Sequence, residues 1–148
     1  MTFWPNPRRR RWVIDRMEAV TDARGESAPH QLWLVEHDPV YTQGLAGKPE
    51  HLLDAGGIPV VASNRGGQVT YHGPGQIVGY PIISLEAQRD LHAYLRFLEQ
   101  VVINTLGSLG LAATRRDGLT GIWLGRRKIA AVGVAVANPW KPLDAFMA

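Results

Sequence analysis

Two parts of this chain carry the residue types most able to do chemistry. One is the run Arg65-Gly66-Gly67-Gln68-Val69-Thr70-Tyr71-His72-Gly73-Pro74-Gly75-Gln76-Ile77-Val78-Gly79-Tyr80-Pro81, in which five positions are glycine and two are proline. Glycine costs backbone entropy, so this density marks places where only a missing Cβ is acceptable. Between the glycines stand Arg65, Gln68, Thr70, Tyr71, His72 and Gln76, all able to donate or accept hydrogen bonds. Close approach plus orienting polar groups is the composition of a binding loop. The other part is Lys128, which opens an apolar stretch and shares its type only with Lys48 and Lys141. Desolvation lowers an amine's pKa and suits it to general-base work. A strand-end lysine whose head reaches solvent is the plainer reading, and both stand.

The run also reads as a β-hairpin. Val69 and Tyr71 alternate with Gln68, Thr70 and His72, residues His72-Gly73-Pro74-Gly75 can turn, and Ile77 to Ile83 supplies a second strand. It is not a phosphate loop, because no Gly-Lys-Ser/Thr comes after it, and it is not Gly-x-Gly-x-x-Gly. Glu36 and His37 could pair as acid and base, but a strand sends neighbours to opposite faces, which favours a structural use. Ser63, Thr70 and Ser84 are the candidate hydroxyl nucleophiles, yet no activating Ser/His/Asp spacing accompanies them. The five histidines form no metal-ligand pattern, so no metal is expected.

The elements that must position these residues are set by pattern. Trp12 to Ala23 is a helix, with Val13, Met17 and Val20 at helical spacing. Leu32 to Glu36 and Val40 to Thr42 are extended pieces either side of Asp38-Pro39. Lys48 to Asp54 forms a short helix, and Ile58 to Ala62 a strand leading to the glycine-rich run. Asp90 caps a long helix whose stripe of Leu91, Leu95, Leu98, Val102, Leu106 and Leu109 reads as core, ending at Gly107 and Gly110. Leu119 to Leu124 and Lys128 to Val136 make a second hairpin, turned at Gly125-Arg126. Strands, helix and strands again give a mixed α+β domain rather than alternating βαβ units.

At 148 residues, 45% hydrophobic and 20% charged, the chain is a one-domain globular sequence with no apolar run of membrane-span length. Arg8 to Arg11 supply four positive charges, without which the formal balance falls from +3 to −1. With Pro5 and Pro7 beside it, this cluster reads as a flexible basic segment rather than a nucleic-acid surface. No secretory signal and no cysteine are present, so the expected location is cytoplasmic and disulfides are excluded.

RGGQVTYHGPGQIVGYP resembles the signature of the lipoate-biosynthesis octanoyltransferases, the lipoyl(octanoyl) transferase family. Two further blocks agree in order: Leu32-Trp33-Leu34-Val35-Glu36-His37-Asp38-Pro39-Val40-Tyr41-Thr42-Gln43-Gly44 and Lys128-Ile129-Ala130-Ala131-Val132-Gly133. The resemblance runs from about Leu32 to Val136. It implies the α+β fold of the biotin and lipoate protein ligase catalytic domain, a mixed sheet with packed helices. It further implies transfer of an octanoyl group from octanoyl acyl carrier protein to a lysine of lipoyl domains, those of 2-oxoacid dehydrogenase complexes and the glycine cleavage H protein. No cofactor is implied. Lys128 matches the family's catalytic lysine. Arg65, Gly66, Gly67, Gln68, Val69, Thr70, Tyr71 and His72, with Ala131, Val132 and Gly133, match its acyl-binding positions.

In that family a cysteine of a Pro-Cys-Gly segment carries the acyl group as a thioester. This chain has no cysteine. After Val136 the family's His-Gly-x-Ala-Leu-Asn block is replaced by Ala137-Asn138-Pro139-Trp140-Lys141-Pro142. The expectation is therefore a basic segment over 1–11, a partial octanoyltransferase-like domain over 12–136 and a divergent tail over 137–148. Such a C-terminally truncated chain should be inactive alone. The alternatives are a non-catalytic acyl-binding or interaction fragment and an ATP-dependent lipoate or biotin ligase. The Gly-Arg-Gly pattern typical of biotin ligases is absent.

Overall fold

The computed structural model describes residues 2–8, 10–25, 28–84, 90–135 and 144–145. A strand β1 (Thr2–Arg8) leads to helix α1 (Arg10–Asp22), then β2 (Gln31–His37), β3 (Val40–Gln43), a 3-10 turn at Pro49–His51, and β4 (Val60–Ala62). Strands β5 (Val69–His72) and β6 (Val78–Ser84) precede helix α2 (Leu91–Ser108), after which come β7 (Thr114–Arg116), β8 (Leu119–Leu124), β9 (Arg127–Ala130) and β10 (Asp144–Ala145). They form three sheets, in the orders β1-β2-β6-β10, β4-β3-β5 and β7-β8-β9. Two helices over mixed sheets is the α+β architecture expected. Among the described residues no helix is long and apolar enough to cross a membrane.

Alternation in β2 decides where the core lies. Trp33, Val35 and His37 face inward, and β6 sets Tyr80 opposite Trp33 and Val78 opposite Val35. Ile82 completes this face, and α1 covers it with Val13 and Met17. A second, smaller cluster joins Tyr94 and Leu98 of α2 to Ile83, Leu91, Val132 and Val134. Each fully buried aliphatic or aromatic side chain here contributes about 1.5–3 kcal/mol. Asp90 caps α2 as expected, its carboxylate accepting from the Ala93 amide at 3.0 Å.

Several expectations are corrected. The glycine-rich run is not a hairpin: β5 pairs antiparallel with β3, and β6 with β2. The turn between β5 and β6 carries the chain from one sheet to another, and each strand pairs with one earlier in the chain. The segment expected to be a flexible basic arm contains β1, paired parallel with β2. Pro5 and Pro7 are tolerated because β1 is an edge strand and its register shifts between Trp4 and Arg8.

The strand expected over Lys128 to Val136 stops at Ala130. Beyond it the Gly66 amide donates to the Val134 carbonyl at 3.0 Å, so the backbone has exchanged one partner for another. Val136 and most of the tail, residues 137–143 and 146–148, lie outside the described residues. The short helix expected over Lys48 to Asp54 is a single 3-10 turn. The apolar stripe of α2 is only partly core, since Leu98 is buried whereas Leu109 is 70% exposed.

Tyr94, on the buried side of α2, has its phenol pushed up from 10.0 to about 12 by burial. The native state then holds that proton more tightly than the unfolded chain. The stability it carries is whole below pH 10.0 and is lost as pH rises toward about 12. A shift of that size corresponds to roughly 2–3 kcal/mol. In denaturant titrations across this range Tyr94→Phe loses less stability than the parent; equal losses would place the alkaline sensitivity elsewhere.

Candidate active site

Arg65 opens the glycine-rich run and is 4% exposed. Its Nη2 donates to the Thr42 carbonyl at 3.0 Å, to Thr42 Oγ1 at 2.8 Å and to the Gln68 carbonyl at 2.9 Å. Its Nη1 donates to the Gly66 carbonyl at 2.9 Å. A buried guanidinium in a cage of carbonyls ties β3 to the loop that leads into β5. The amides of Gly44, Leu45 and Ala46 complete the tie, donating to the carbonyls of Gln68, Arg65 and Gly67.

The glycines around this cage are sterically required in different ways. A Cβ on Gly44 would strike the Gly67 carbonyl and come within 2.8 Å of Arg65 Nη1. One on Gly133 would meet the Gly66 carbonyl at 3.2 Å and Arg65 Cδ at 3.3 Å. Gly67 has φ +88, a region where a side chain strains the backbone. The segment after β9 thus backs onto the loop through Gly133, while Val132 and Val134 turn the other way into the α2 cluster.

Beneath the loop runs a line of buried polar groups. His72 Nε2 shares a hydrogen bond with Thr42 Oγ1 at 3.0 Å, and His37 Nε2 shares one with the Tyr80 hydroxyl at 2.6 Å. The two imidazoles meet edge to face, centroids 5.9 Å apart. His72 therefore supports the loop from below, whereas Tyr71 is exposed and lies against Tyr41. Gln68 and Gly67 are exposed, and Val69 and Thr70 half-buried. Glu36 turns outward and accepts the Gly75 amide at 2.7 Å, while its neighbour His37 faces the core, as a strand requires.

Lys128 stands opposite Trp123 across the β8–β9 ladder, its ammonium 5.2 Å from the indole centroid. Its pKa is held below the ordinary 10.5, first by burial and then by the Arg65 charge, with Glu99 opposing. The residue as a whole is exposed, so the desolvation is that of an ammonium laid on an aromatic face rather than of a sealed amine. An amine with a lowered pKa is a proton acceptor, and its coupling to Arg65 ties it electrostatically to the loop.

Glu99 does not stand out in the sequence. It is fully buried on α2, with Oε2 accepting from Arg96 Nη1 at 2.7 Å and Arg115 Nε at 3.1 Å, and Oε1 from the Gly121 amide at 2.8 Å. Its position next to Leu98 on the apolar stripe was the available signal. Among the described residues no group of histidine and carboxylate side chains could hold a metal ion.

Known proteins resemble this chain in sequence and fold. Residues 11–141 match the model of the lipoyl protein ligase A/B catalytic domain. Octanoyltransferases are similar over most of its length: that of Methylibium petroleiphilum is 49% identical over 85% of this chain and 66% of its own, and that of Xanthomonas campestris 51% over 81% and 52%. The chain thus spans about half to two-thirds of the length of these relatives. Among solved structures, a bi-partite lipoate protein ligase from Thermoplasma acidophilum superposes with TM-score 0.74 at 21% identity, covering 96% of this chain and 56% of that one. Lipoate-protein ligase A bound with ATP gives TM-score 0.75 at 20% identity, covering 99% and 62%. At that identity the likeness is one of fold.

The cage gives a direct test. Gly44→Ala should cost about 2–3 kcal/mol in a denaturant titration, because backbone and a buried guanidinium must both move. Gly107→Ala on α2, with nothing within 4 Å of the new methyl, should instead gain roughly 0.4–1 kcal/mol. Equal effects would mean that the loop is not packed as described.

Proposed function

From the premise that this chain belongs to the lipoyl protein ligase A/B catalytic-domain family, we propose that its site serves octanoyl transfer in protein lipoylation. The donor is octanoyl acyl carrier protein, and the acceptor is a lysine of a lipoyl domain. The observation that carries this reading is Lys128, an amine of lowered pKa electrostatically coupled to the Arg65 loop. Identity near 50% to proteins named octanoyltransferase supports the choice of acyl group.

In this reading the acyl chain lies against Arg65 to His72 on one side and Ala131 to Gly133 on the other. Gly67, exposed and without a side chain, leaves the loop surface open to methylenes, while Gly133 lets the 131–133 segment pack against the loop. Lys128 acts on protons. In the family's two-step transfer a thiolate displaces the carrier thiol and forms a thioester, and an acceptor amine then attacks it. The amine's proton passes to a base as the amide forms and the thiol is released. A base must be neutral to accept that proton. The rate of the base-dependent step therefore rises with pH and half-saturates below 10.5, the ordinary lysine value.

The chain contains no cysteine, so this thioester cannot form on it as it stands. That observation favours a second reading of the isolated chain, an acyl binder that turns nothing over. Incubated with octanoyl carrier protein and an acceptor domain, it should yield no octanoylated acceptor by mass spectrometry. Calorimetric titration with acyl-pantetheines should show affinity rising with chain length by about 0.8 kcal/mol per buried methylene until further methylenes remain in solvent. Gly67→Val should weaken octanoyl binding, and Lys128→Met should leave it nearly unchanged. Equal losses from both would make Lys128 a binding residue and refute its assignment as base.

A further inference from the structure

The Glu99 cluster takes no part in the acyl chemistry proposed for the loop, yet it converges on the same amine. Gly121, whose amide is held by Glu99, has φ +117, and a Cβ there would collide with Lys128 Cε and lie 2.7 Å from the Ala130 carbonyl. The Lys128 stem therefore runs through the space that a side chain at 121 would fill. The ladder is irregular at this place. Trp123 faces Lys128 and Ile122 faces Ala130, which leaves Ile129 as an extra residue on β9. Such a bulge re-aims the side chains beside it.

We propose that Glu99 is a positioning residue for Lys128, acting through Gly121. Its carboxylate anchors the Gly121 amide, the anchored glycine keeps an open trough across β8, and the trough lays the lysine stem over Trp123 with its ammonium toward the Arg65 loop. A buried carboxylate is a costly anchor, and Arg96 and Arg115 offset its desolvation. The same carboxylate is a negative charge acting on an amine that Arg65 renders less basic. Of the charged groups near it, Arg65 and Glu99 act on Lys128 directly, Arg96 and Arg115 reach it through Glu99, and Arg127 precedes it on β9. Arg116 shares the Trp123 ring, its guanidinium carbon 5.6 Å from the centroid.

The positioning role rests on Lys128 as the working base, but its test does not need turnover. With three lysines in the chain, the ε-methylene signals of Lys128 can be followed by NMR through a pH titration. Glu99→Gln, whose amide oxygen can still accept the Gly121 amide, should lower the Lys128 pKa further, because the opposing charge is gone. Gly121→Ala should move it the other way, toward 10.5, and abolish the upfield ring-current shift from Trp123 as the stem is expelled into solvent. Should Glu99→Gln fail to fold, Arg96→Gln leaves the anchor in place and unmasks part of its charge, and should raise the Lys128 pKa. An unchanged Lys128 pKa in Glu99→Gln, or in Arg96→Gln if that variant alone folds, would overturn the proposal. So would a ring-current shift that survives Gly121→Ala. These shifts found in a chain that binds no acyl group would refute the proposed function while leaving the positioning role intact.

Discussion

A single buried cation sets the geometry on which the rest depends. Arg65 is enclosed by the carbonyls of Thr42, Gly66 and Gln68 and by the Thr42 hydroxyl. An enclosed guanidinium must have its donors met, because stripping it of water costs several kcal/mol. That requirement fixes the path of three stretches of backbone at once. It also dictates glycine at 44 and at 133, since any side chain there would occupy the ground that the guanidinium and its carbonyls hold. Within the run itself Gly67 is the glycine that faces this charge, its Cβ position 3.3 Å from Arg65 Nη1.

Much of the architecture was legible because it rests on local signals. The 3.6-residue spacing of Val13, Met17 and Val20 gave α1, and Asp90 marked the start of α2 by its own hydrogen-bonding chemistry. Leu32 to Glu36 read as a strand, and strand geometry put Glu36 and His37 on opposite faces without saying which face is the core. What failed was partner choice. Val69 to His72 reads as a strand in isolation, but period two does not say whether the neighbour is Ile77 to Ile83 or Val40 to Gln43. Proximity in sequence favoured the first, and tertiary register chose the second. Pro5 and Pro7 argued against a strand when read alone, and an edge position makes them acceptable.

The site was legible only in part, for a related reason. Lys128 and the Arg65 run were visible as residue types. The carboxylate that acts on them was not, since a glutamate within a helix is ordinarily a solvated surface group. Glu99 is buried because two arginines arrive from either side, Arg96 from three residues along the same helix and Arg115 from a strand sixteen residues on. No spacing rule joins Glu99 to Gly121 or either of them to Lys128. The connection exists only once β8 has been laid against α2.

The Arg65 cage also governs how the molecule comes to be assembled. The contacts that create it span 23 residues to Thr42, and the histidine–tyrosine pair beneath it spans 43. The Gly66–Val134 bond reaches further still. Closing such distant pairs costs chain entropy before any of them returns a favourable contact. No local segment of the chain can form the cage by itself, because its partners come from β3, the loop and the segment after β9. Formation of the Arg65 loop and completion of the native topology then become the same event.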